Sequence, residues 1–205
     1  MTRLLIWTAV LFVTPAGFGQ GEWKPLFDGK SLAGWKATEF TRHGTVKVED
    51  GAIVLGSGYL TGVTWTKDFP KSNYEVRLEA KRIGGSDFFA GITFPVKNSH
   101  CSLIVGGWGG QVIGLSNIDG YDASENETSI SRTFETGRWY SIAVRVTDGW
   151  IQAWIDNEKL IEISLEGRKI DLRPGEIDLS VPFGIASYST VAGLRKIEYR
   201  TIPPQ

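Results

Sequence analysis

Short runs in which apolar and polar residues alternate recur along the chain. The clearest covers residues 73–83, where apolar side chains fall on one face and charged side chains on the other. The apolar members are Tyr74, Val76, Leu78 and Ala80, and the charged members are Glu75, Arg77, Glu79 and Lys81. Residues 138–147 repeat the pattern with Tyr140, Ile142, Val144 and Val146 as the apolar set. Because successive side chains of a strand point to opposite faces, both runs predict strands that pack one face against a core.

Turn dipeptides separate these runs. Asp50-Gly51 lies between two strand-like runs and predicts a hairpin. Asp148-Gly149 and Asn157-Glu158 would turn the chain between the three strands of a meander. Residues 166–180 are polar and are predicted as a long connection with a weak helical turn. With about a dozen short strands and no amphipathic helix, the pattern predicts an all-β fold, a two-sheet antiparallel jelly-roll sandwich.

The first residues predict an export signal. Arg3 precedes an apolar run at residues 4–13, which is too short to span a bilayer and is followed by small residues. We therefore expect a signal peptide at residues 1–19 and one mature domain at residues 20–205. That domain would be exported to the periplasm or the extracellular space, with no membrane contact after cleavage. The alternative is an uncleaved anchor or a buried N-terminal strand.

Charge and cysteine content narrow the class of protein. The net charge of -1 gives no electrostatic reason to expect a nucleic-acid partner. Cys101 is the only cysteine, so no internal disulfide can form and the core must stabilise the fold alone. An exported domain without disulfides is more typical of bacteria than of animals. The abundance of glycine and tryptophan suits an all-β protein with tight turns and aromatic-lined surfaces.

Residues 99–128 hold the densest set of candidate functional groups. Trp108 stands among Gly106, Gly107, Gly109 and Gly110, and the loop beyond the next apolar run contains four acids and no base. An indole ring covers the apolar face of a sugar, and carboxylates and amides bind its hydroxyls. We therefore expect a sugar site, whose predicted members are Trp108, Gln111, Asn117, Asp119 and Asp122. The alternative is a hairpin tip with a solvated turn, in which Trp108 fills core space left by the glycines.

Three side chains are candidates for catalytic proton transfer. Asp87 precedes two phenylalanines at the start of a predicted strand, where a carboxylate beside apolar surface can act as a base. His100 can titrate near neutral pH, and Glu125 lies in the acidic loop. On a strand His100 and Cys101 point to opposite faces, which excludes a cysteine–histidine pair. Each candidate also has a structural explanation, as a turn aspartate, a rim or core histidine, or a solvated glutamate.

Alternating acids on one strand have two interpretations. Glu75 and Glu79 resemble the paired carboxylates of sandwich-fold glucanases, but Arg77 stands between them. Alternating charge on a strand face is more typical of solvent-exposed cross-strand pairing, and we predict that here.

A calcium ion is the one cofactor that the sequence allows. Asp119, Asp122 and Glu125 could gather oxygen ligands, although their spacing is not that of an EF-hand. A solvated turn explains the same residues equally well. The identity of any metal ligand therefore stays open, and no other cofactor is expected.

The order of motifs along the chain resembles a known family. The motifs are Leu26-Phe27-Asp28-Gly29-Lys30-Ser31-Leu32, Gly34-Trp35, Gly137-Arg138-Trp139-Tyr140, Val144-Arg145-Val146, Trp154-Ile155-Asp156-Asn157 and Gly184-Ile185. In these the chain resembles the bacterial 3-keto-disaccharide hydrolase domain family over essentially the whole mature chain. The resemblance implies a concanavalin A-like jelly roll whose concave sheet binds sugar. It also implies hydrolysis of glycosides that carry a ketone at sugar C3.

Three functions remain open at this point. The first is an exported carbohydrate-active hydrolase that acts on 3-keto-disaccharides or related glycosides. The second is a non-catalytic carbohydrate-binding module of the same fold, and the third is a structural adhesion domain. The expected ligand in the first two is an oligosaccharide or an oxidised disaccharide.

Overall fold

The computed structural model describes residues 21–204, so the predicted signal peptide at residues 1–19 lies outside the described part. The described chain forms strands throughout, with one short 3₁₀ helix at Glu176–Ser180. The strands are β1 (Lys24–Pro25), β2 (Trp35–Ala37), β3 (Val46–Glu49), β4 (Ala52–Leu55), β5 (Leu60–Trp65), β6 (Tyr74–Gly85), β7 (Ala90–Val96), β8 (Ser99–Gly107), β9 (Val112–Ser116), β10 (Ile130–Ser131), β11 (Tyr140–Val146), β12 (Trp150–Ile155), β13 (Glu158–Ser164), β14 (Gly184–Tyr188) and β15 (Thr190–Thr201).

The strands form two antiparallel sheets. The eight-stranded sheet has the order β13-β12-β11-β6-β15-β4-β3, with β1 also paired to β15. The seven-stranded sheet has the order β10-β9-β8-β7-β14-β5-β2. Neighbouring strands in space are often distant in sequence, as in a jelly roll. The predicted all-β, two-sheet antiparallel jelly-roll sandwich is confirmed.

The core lies between the sheets and follows from the alternation in the strands. On β6, Tyr74, Val76 and Leu78 are buried, and they face apolar residues such as Ile92 and Leu103 of the other sheet in one cluster. The Tyr74 hydroxyl donates a hydrogen bond of 2.6 Å to the carbonyl oxygen of Pro95, so its polar atom is satisfied inside the core. Burial raises the pKa of Tyr74 well above its ordinary value.

The charged side chains of β6 pair across strands as predicted, but the pairing at Glu75 is not solvent-exposed. Glu75 lies between Arg145 of β11 and Arg200 of β15, as the strand register requires. Only 9% of the Glu75 side chain is exposed, because the two arginines cover it. The prediction of a solvent-exposed pair was wrong at this position, since alternation tells which face a side chain takes but not what covers that face.

Two of the predicted turns show how local sequence sets the chain direction. Asp50 and Gly51 both have positive φ and join β3 to β4, which confirms that hairpin. The turn between β12 and β13 lies at Asp156-Asn157, one residue before the predicted Asn157-Glu158. Both Asp156 and Asn157 have positive φ, and such turns favour Asp and Asn at these positions over Glu.

Residues 165–183 connect β13 to β14 and include the 3₁₀ helix, as expected for this polar stretch. The connection crosses the outer face of the seven-stranded sheet, where the Thr64 hydroxyl donates to the carbonyl oxygen of Leu179 at 3.1 Å. Within residues 21–204, the structure contains no helix with the length and apolar character that a membrane crossing requires.

Candidate functional site

A cleft of about 470 Å³ lies on the outer face of the seven-stranded sheet. Its floor is formed by outward-facing positions of β8 and β9, and its walls come from five loops, the start of β5 and the end of β14. The lining residues are Tyr59, Leu60, Asp87, Phe88, Ser102, Ile104, Trp108, Ser116, Asp122, Arg173, Pro174, Gly175, Glu176, Ile177 and Tyr188.

Two glycines let the walls of the cleft rest directly on the sheet. A Cβ at Gly91 would stand 2.9 Å from the ring of Phe88. A Cβ at Gly114 would stand 2.5 Å from the carbonyl oxygen of Ala123, in the acidic loop. Because packed groups cannot approach this closely, a larger residue at either position would lift a wall and reshape the cleft.

A buried arginine holds together the two loops that carry Asp87 and Trp108. Arg82 is 7% exposed, and its Nη2 donates to the carbonyl oxygens of Asp87 at 3.3 Å and Gly110 at 3.0 Å. The Asp87 carboxylate closes the same junction by accepting from the amide of Gly109 at 3.2 Å. Burial lowers the pKa of Arg82, and the negative charge of Asp87 partly offsets that effect.

The glycine cluster makes room for this arginine and not for the tryptophan. A Cβ at Gly106 would stand 2.8 Å from Nη2 of Arg82 and 3.1 Å from the ring of Phe89. Trp108 itself is 42% exposed and has a positive φ at the tip of the β8–β9 hairpin. The alternative of a core tryptophan is therefore wrong, and the indole lines the cleft.

Aromatic side chains form the wall opposite the acidic loop. Tyr59 is exposed and meets Tyr188 edge to face, with ring centroids 4.8 Å apart, and Phe88 lies 5.8 Å from Tyr188. Pairing with the Tyr59 hydroxyl, then burial and the charge of Asp87, raises the pKa of Tyr188, and Arg173 opposes the rise. Tyr188 thus lies within electrostatic reach of both Asp87 and Arg173.

The acidic loop obtains its counter-charges from the connection between β13 and β14. Arg173 contacts Asp122 at 2.7 Å and lies 6.0 Å from the centre of the Trp108 ring. Arg168 pairs with Asp119 at 2.7 Å and with Glu127 at 2.5 Å. The hydrogen bond from Arg168, followed by that from the Lys169 amide, lowers the pKa of Asp119. These pairs fix the connection over the sheet and place Arg173 in the cleft.

The structure brings together three of the predicted site residues. Asp87, Trp108 and Asp122 line the cleft. The Asp122 carboxylate also accepts from the Ser116 hydroxyl at 3.0 Å and from the Ala123 amide at 2.6 Å. These bonds and the contact with Arg173 occupy both of its oxygens.

The other predicted residues lie outside the cleft lining. His100 shares a face of β8 with Ser102 but is half-buried beyond the cleft, where burial and then the charge of Lys71 lower its pKa. Glu125 is exposed in a turn, so the three catalytic candidates do not converge on one point. Gln111 is an exposed residue that accepts from Ser131. Asn117 is buried, with its Oδ1 2.9 Å from Ser116 Oγ, and Asp119 is paired with Arg168.

Two of the three residues proposed as calcium ligands contact arginines in this structure, and the third, Glu125, is exposed in a turn. Asp119 pairs with Arg168, and Asp122 pairs with Arg173. Within residues 21–204, no three His, Cys, Asp or Glu side chains are grouped so that they could hold a metal ion.

Sequence reasoning missed Tyr59, Tyr188 and Arg173. Tyr59 and Tyr188 stand at the ends of β5 and β14, which pair in the sheet although more than a hundred residues separate them. Arg173 lies in a polar connection that carried no motif. The one signal available was the acidic loop itself, because a run of acids without a base attracts positively charged side chains from elsewhere in the fold.

The comparisons with known proteins agree with this architecture. A family model described as a 3-keto-alpha-glucoside-1,2-lyase-like domain matches residues 22–202. No curated protein matches the chain.

Among solved structures, the chain is similar to a Parabacteroides distasonis ATCC 8503 protein provisionally assigned as a glycosyl hydrolase. The identity is 16%, with 89% of this chain and 94% of that chain covered and a TM-score of 0.57. Domain 4 of AbnA, a GH43 extracellular arabinanase from Geobacillus stearothermophilus solved with arabinotriose, is 14% identical, with coverages of 91% and 96% and a TM-score of 0.58. The carbohydrate-binding module CBM66 from Bacillus subtilis is 10% identical, with coverages of 82% and 96% and a TM-score of 0.55. At these identities the likeness shows the fold alone.

Proposed function

Because the chain belongs to the 3-keto-alpha-glucoside-1,2-lyase-like domain family, we propose that it cleaves 3-keto-glycosides by elimination across C1 and C2. The cleft on the seven-stranded sheet would be the active site. The observation that carries the proposal is that a carboxylate, Asp87, and a guanidinium, Arg173, face the same cleft beside exposed aromatic rings. The expected substrates are 3-keto-disaccharides.

The chemistry needs one base and one group that stabilises negative charge. A ketone at C3 acidifies the hydrogen at C2, and the base removes it as a proton. The C–H electron pair forms an enolate with its charge on the C3 oxygen. The enolate then expels the C1 oxygen, which takes a proton and leaves as an alcohol, and a C1–C2 double bond forms. Addition of water across that bond gives the free 3-keto sugar.

Asp87 is the proposed base. Its oxygens accept from the main-chain amides of Phe88 at 2.8 Å and Gly109 at 3.2 Å, and no side chain among residues 21–204 donates to it. The carboxylate is thus fixed in position by the backbone while acceptor capacity remains for a substrate hydrogen. Asp122 differs, because Ser116, Ala123 and Arg173 occupy its oxygens.

Arg173 is the proposed group that stabilises the enolate oxygen. Its side chain is 61% exposed and its position is set by the 2.7 Å contact with Asp122. A positioned guanidinium needs little reorganisation when charge develops on the substrate. Trp108 and Tyr59 would cover the sugar rings on either side of the reacting carbons.

Cleavage of a 3-keto-disaccharide in deuterium oxide tests the proposal. Elimination followed by hydration places solvent deuterium at C2 of the released 3-keto sugar, whereas direct hydrolysis leaves the C2 hydrogen in place; mass spectrometry separates the two. Asp87→Asn should abolish release, and Glu125→Gln, which changes an exposed carboxylate outside the cleft lining, should retain it. A folded Asp87→Asn variant with the original rate, or product without deuterium, would contradict the proposal.

A non-catalytic carbohydrate-binding role is the second candidate. It is favoured by the position of His100 and Glu125 outside the cleft, which leaves Asp87 as the one lining aspartate without a side-chain partner among residues 21–204. In that case the same incubation gives no product, but the sugar raises the melting temperature. Trp108→Ala should then remove the shift.

Export is proposed from the signal-like segment at residues 1–19. Its positive start, apolar run and small residues support cleavage before the folded domain begins. N-terminal sequencing of protein recovered from the periplasm or the medium should find a start near residue 20. A start at residue 1 in that fraction would contradict cleavage.

A further inference from the structure

A second recess lies on the outer face of the other sheet. It has a volume of about 320 Å³, with Ala143 at its floor and Trp154 and Trp23 among its lining residues. The register explains the recess, because Ala143 pairs with Trp154 of β12 on one side and with Arg77 of β6 on the other. A small residue between two long neighbours leaves a trench across the sheet. We call this recess the trench, and it is separate from the cleft on the seven-stranded sheet.

The trench holds more positive than negative charge. Glu75 is shared by Arg145 and Arg200, and Arg77 pairs with Glu198 at 2.7 Å. Three arginines therefore face two glutamates, and one guanidinium charge is uncompensated.

The same imbalance continues along the face beyond the trench. Glu79 is shared by Arg195 at 2.6 Å and Lys196 at 2.7 Å. Lys81 lies 4.6 Å from the centre of the Trp139 ring. The chain as a whole has a net charge of -1, so this excess of positive charge is local to one face.

The indoles of the trench are held in place by these arginines. The guanidinium of Arg77 lies 3.9 Å from the centre of the Trp23 ring, and that of Arg200 lies 4.5 Å from it. Arg145 lies 5.4 Å from the ring of Trp154. Cation–π contacts of this kind restrict both partners, so the indoles and the guanidinium groups are held in place before any ligand arrives.

We propose that the trench binds an acidic oligosaccharide whose uronic-acid carboxylate pairs with the guanidinium groups. A sugar ring has the flat apolar face that an indole covers, and a planar carboxylate matches the fork of an arginine. A neutral sugar has no carboxylate to pair with the excess positive charge of the trench. A nucleic acid is less suited, because the rest of the chain carries the opposite net charge and repels a long polyanion.

Calorimetric titration of the purified protein with tetragalacturonate tests the proposal. The carboxyl-reduced form of the same tetrasaccharide is the neutral control and should bind at least about tenfold more weakly. Raising the salt concentration from about 0.05 M to about 0.5 M should weaken binding of the acidic form, because it shortens the range of the charges.

Substitutions test whether tetragalacturonate binds in the trench. Trp154→Ala should lower the affinity at least about tenfold, and Arg77→Gln should lower both the affinity and its salt dependence. Trp150→Ala is the matched control, because Trp150 lies on the same strand and face, is 45% exposed and does not line the trench. Trp108→Ala, in the cleft, should bind as the unchanged protein does. If Trp154→Ala fails to fold, Arg77→Gln provides the test.

Several outcomes would overturn the proposal. They are no binding of tetragalacturonate, equal binding of its reduced form, equal losses for Trp150→Ala and Trp154→Ala, or loss with Trp108→Ala. Tighter binding of an oligothymidylate of similar charge would assign the trench to nucleic acid instead. The activity of the cleft on a 3-keto-disaccharide does not enter any of these readouts, so failure of one proposal leaves the other standing.

Discussion

Alanine substitution at Gly106 and at Gly109 separates two reasons for the glycine cluster beside Trp108. Both glycines have positive φ, +79° and +83°, so each substitution places a Cβ in a backbone conformation that favours glycine. At Gly109 the new methyl group meets nothing within 4 Å among residues 21–204. At Gly106 it meets Arg82 Nη2 at 2.8 Å and Phe89 at 3.1 Å.

The expected magnitudes follow from these contacts. Gly109→Ala should cost about 1 kcal/mol of unfolding free energy, which is the backbone strain alone. Gly106→Ala has the same strain and an overlap with buried groups, which adds about 2 kcal/mol. For a chain of this length, the melting temperature should fall by about 2–4 °C for Gly109→Ala and about 6–12 °C for Gly106→Ala.

Urea unfolding of the two variants at one pH measures the difference directly, provided that the m-values agree. Because Arg82 also donates to the carbonyl oxygens of Asp87 and Gly110, Gly106→Ala should weaken sugar binding in the cleft as well. Equal free energies for the two variants would refute the reasoning, since the cluster would then serve the turn and not the arginine.

Three further predictions concern buried and charged groups. Burial raises the pKa of Cys101 to about 12, so Ellman's reagent at about pH 8 should modify it only after unfolding; rapid reaction of the native protein would contradict this. Burial lowers the pKa of His100 below 6.5, so its contribution to stability is complete above that value and is lost as pH falls through the lower folded pKa. His100→Gln should therefore flatten the acid limb of urea stability measured between about pH 4 and pH 7, and an unchanged slope would exclude the histidine. Glu75→Gln should cost about 3 kcal/mol in urea unfolding, because two arginines lose their shared and nearly buried partner. Glu79→Gln, at a more exposed pair, should cost about 1 kcal/mol, and equal losses would show that burial does not set the value.

The sandwich could be predicted from the sequence because its signals are local. The alternation along β6 and β11 shows which face of each strand is buried in the core. The dipeptide Asp50-Gly51 alone predicts the hairpin between β3 and β4. The turn between β12 and β13 was predicted one residue too late, at Asn157-Glu158. Asp156 and Asn157 both adopt positive φ, which Asp and Asn tolerate better than Glu, so the local sequence already favoured the observed turn.

The cleft was only partly predictable, because most of its lining residues are distant in sequence and become neighbours only in the folded chain. Asp87 and Trp108 were found from a glycine cluster and an acid beside apolar residues. Tyr59 and Tyr188 become neighbours only when β5 pairs with β14, and Arg173 reaches Asp122 only when the long connection crosses the sheet. No periodicity or motif within one segment carries that information. Burial of Arg82 could not be predicted either. The alternation along β6 puts Arg82 on the same face as the core residues, but it does not show that the glycine-rich hairpin covers its side chain.

The charges of the cleft bear on which reaction it can support. Direct hydrolysis of a glycoside uses two carboxylates, one to protonate the leaving group and one to act as base or nucleophile. Here Asp122 is bound to Arg173 and Ser116, so Asp87 is the lining aspartate that remains free to take a proton among the described residues. Elimination from a 3-keto sugar needs one base and one cation near the ketone, and Asp87 and Arg173 supply that set. The third lining carboxylate, Glu176, accepts from the amide and the hydroxyl of Thr41, so no second free carboxylate is left among the described lining residues for ordinary glycoside hydrolysis. We therefore expect the unoxidised disaccharide to remain intact when its 3-keto form is cleaved.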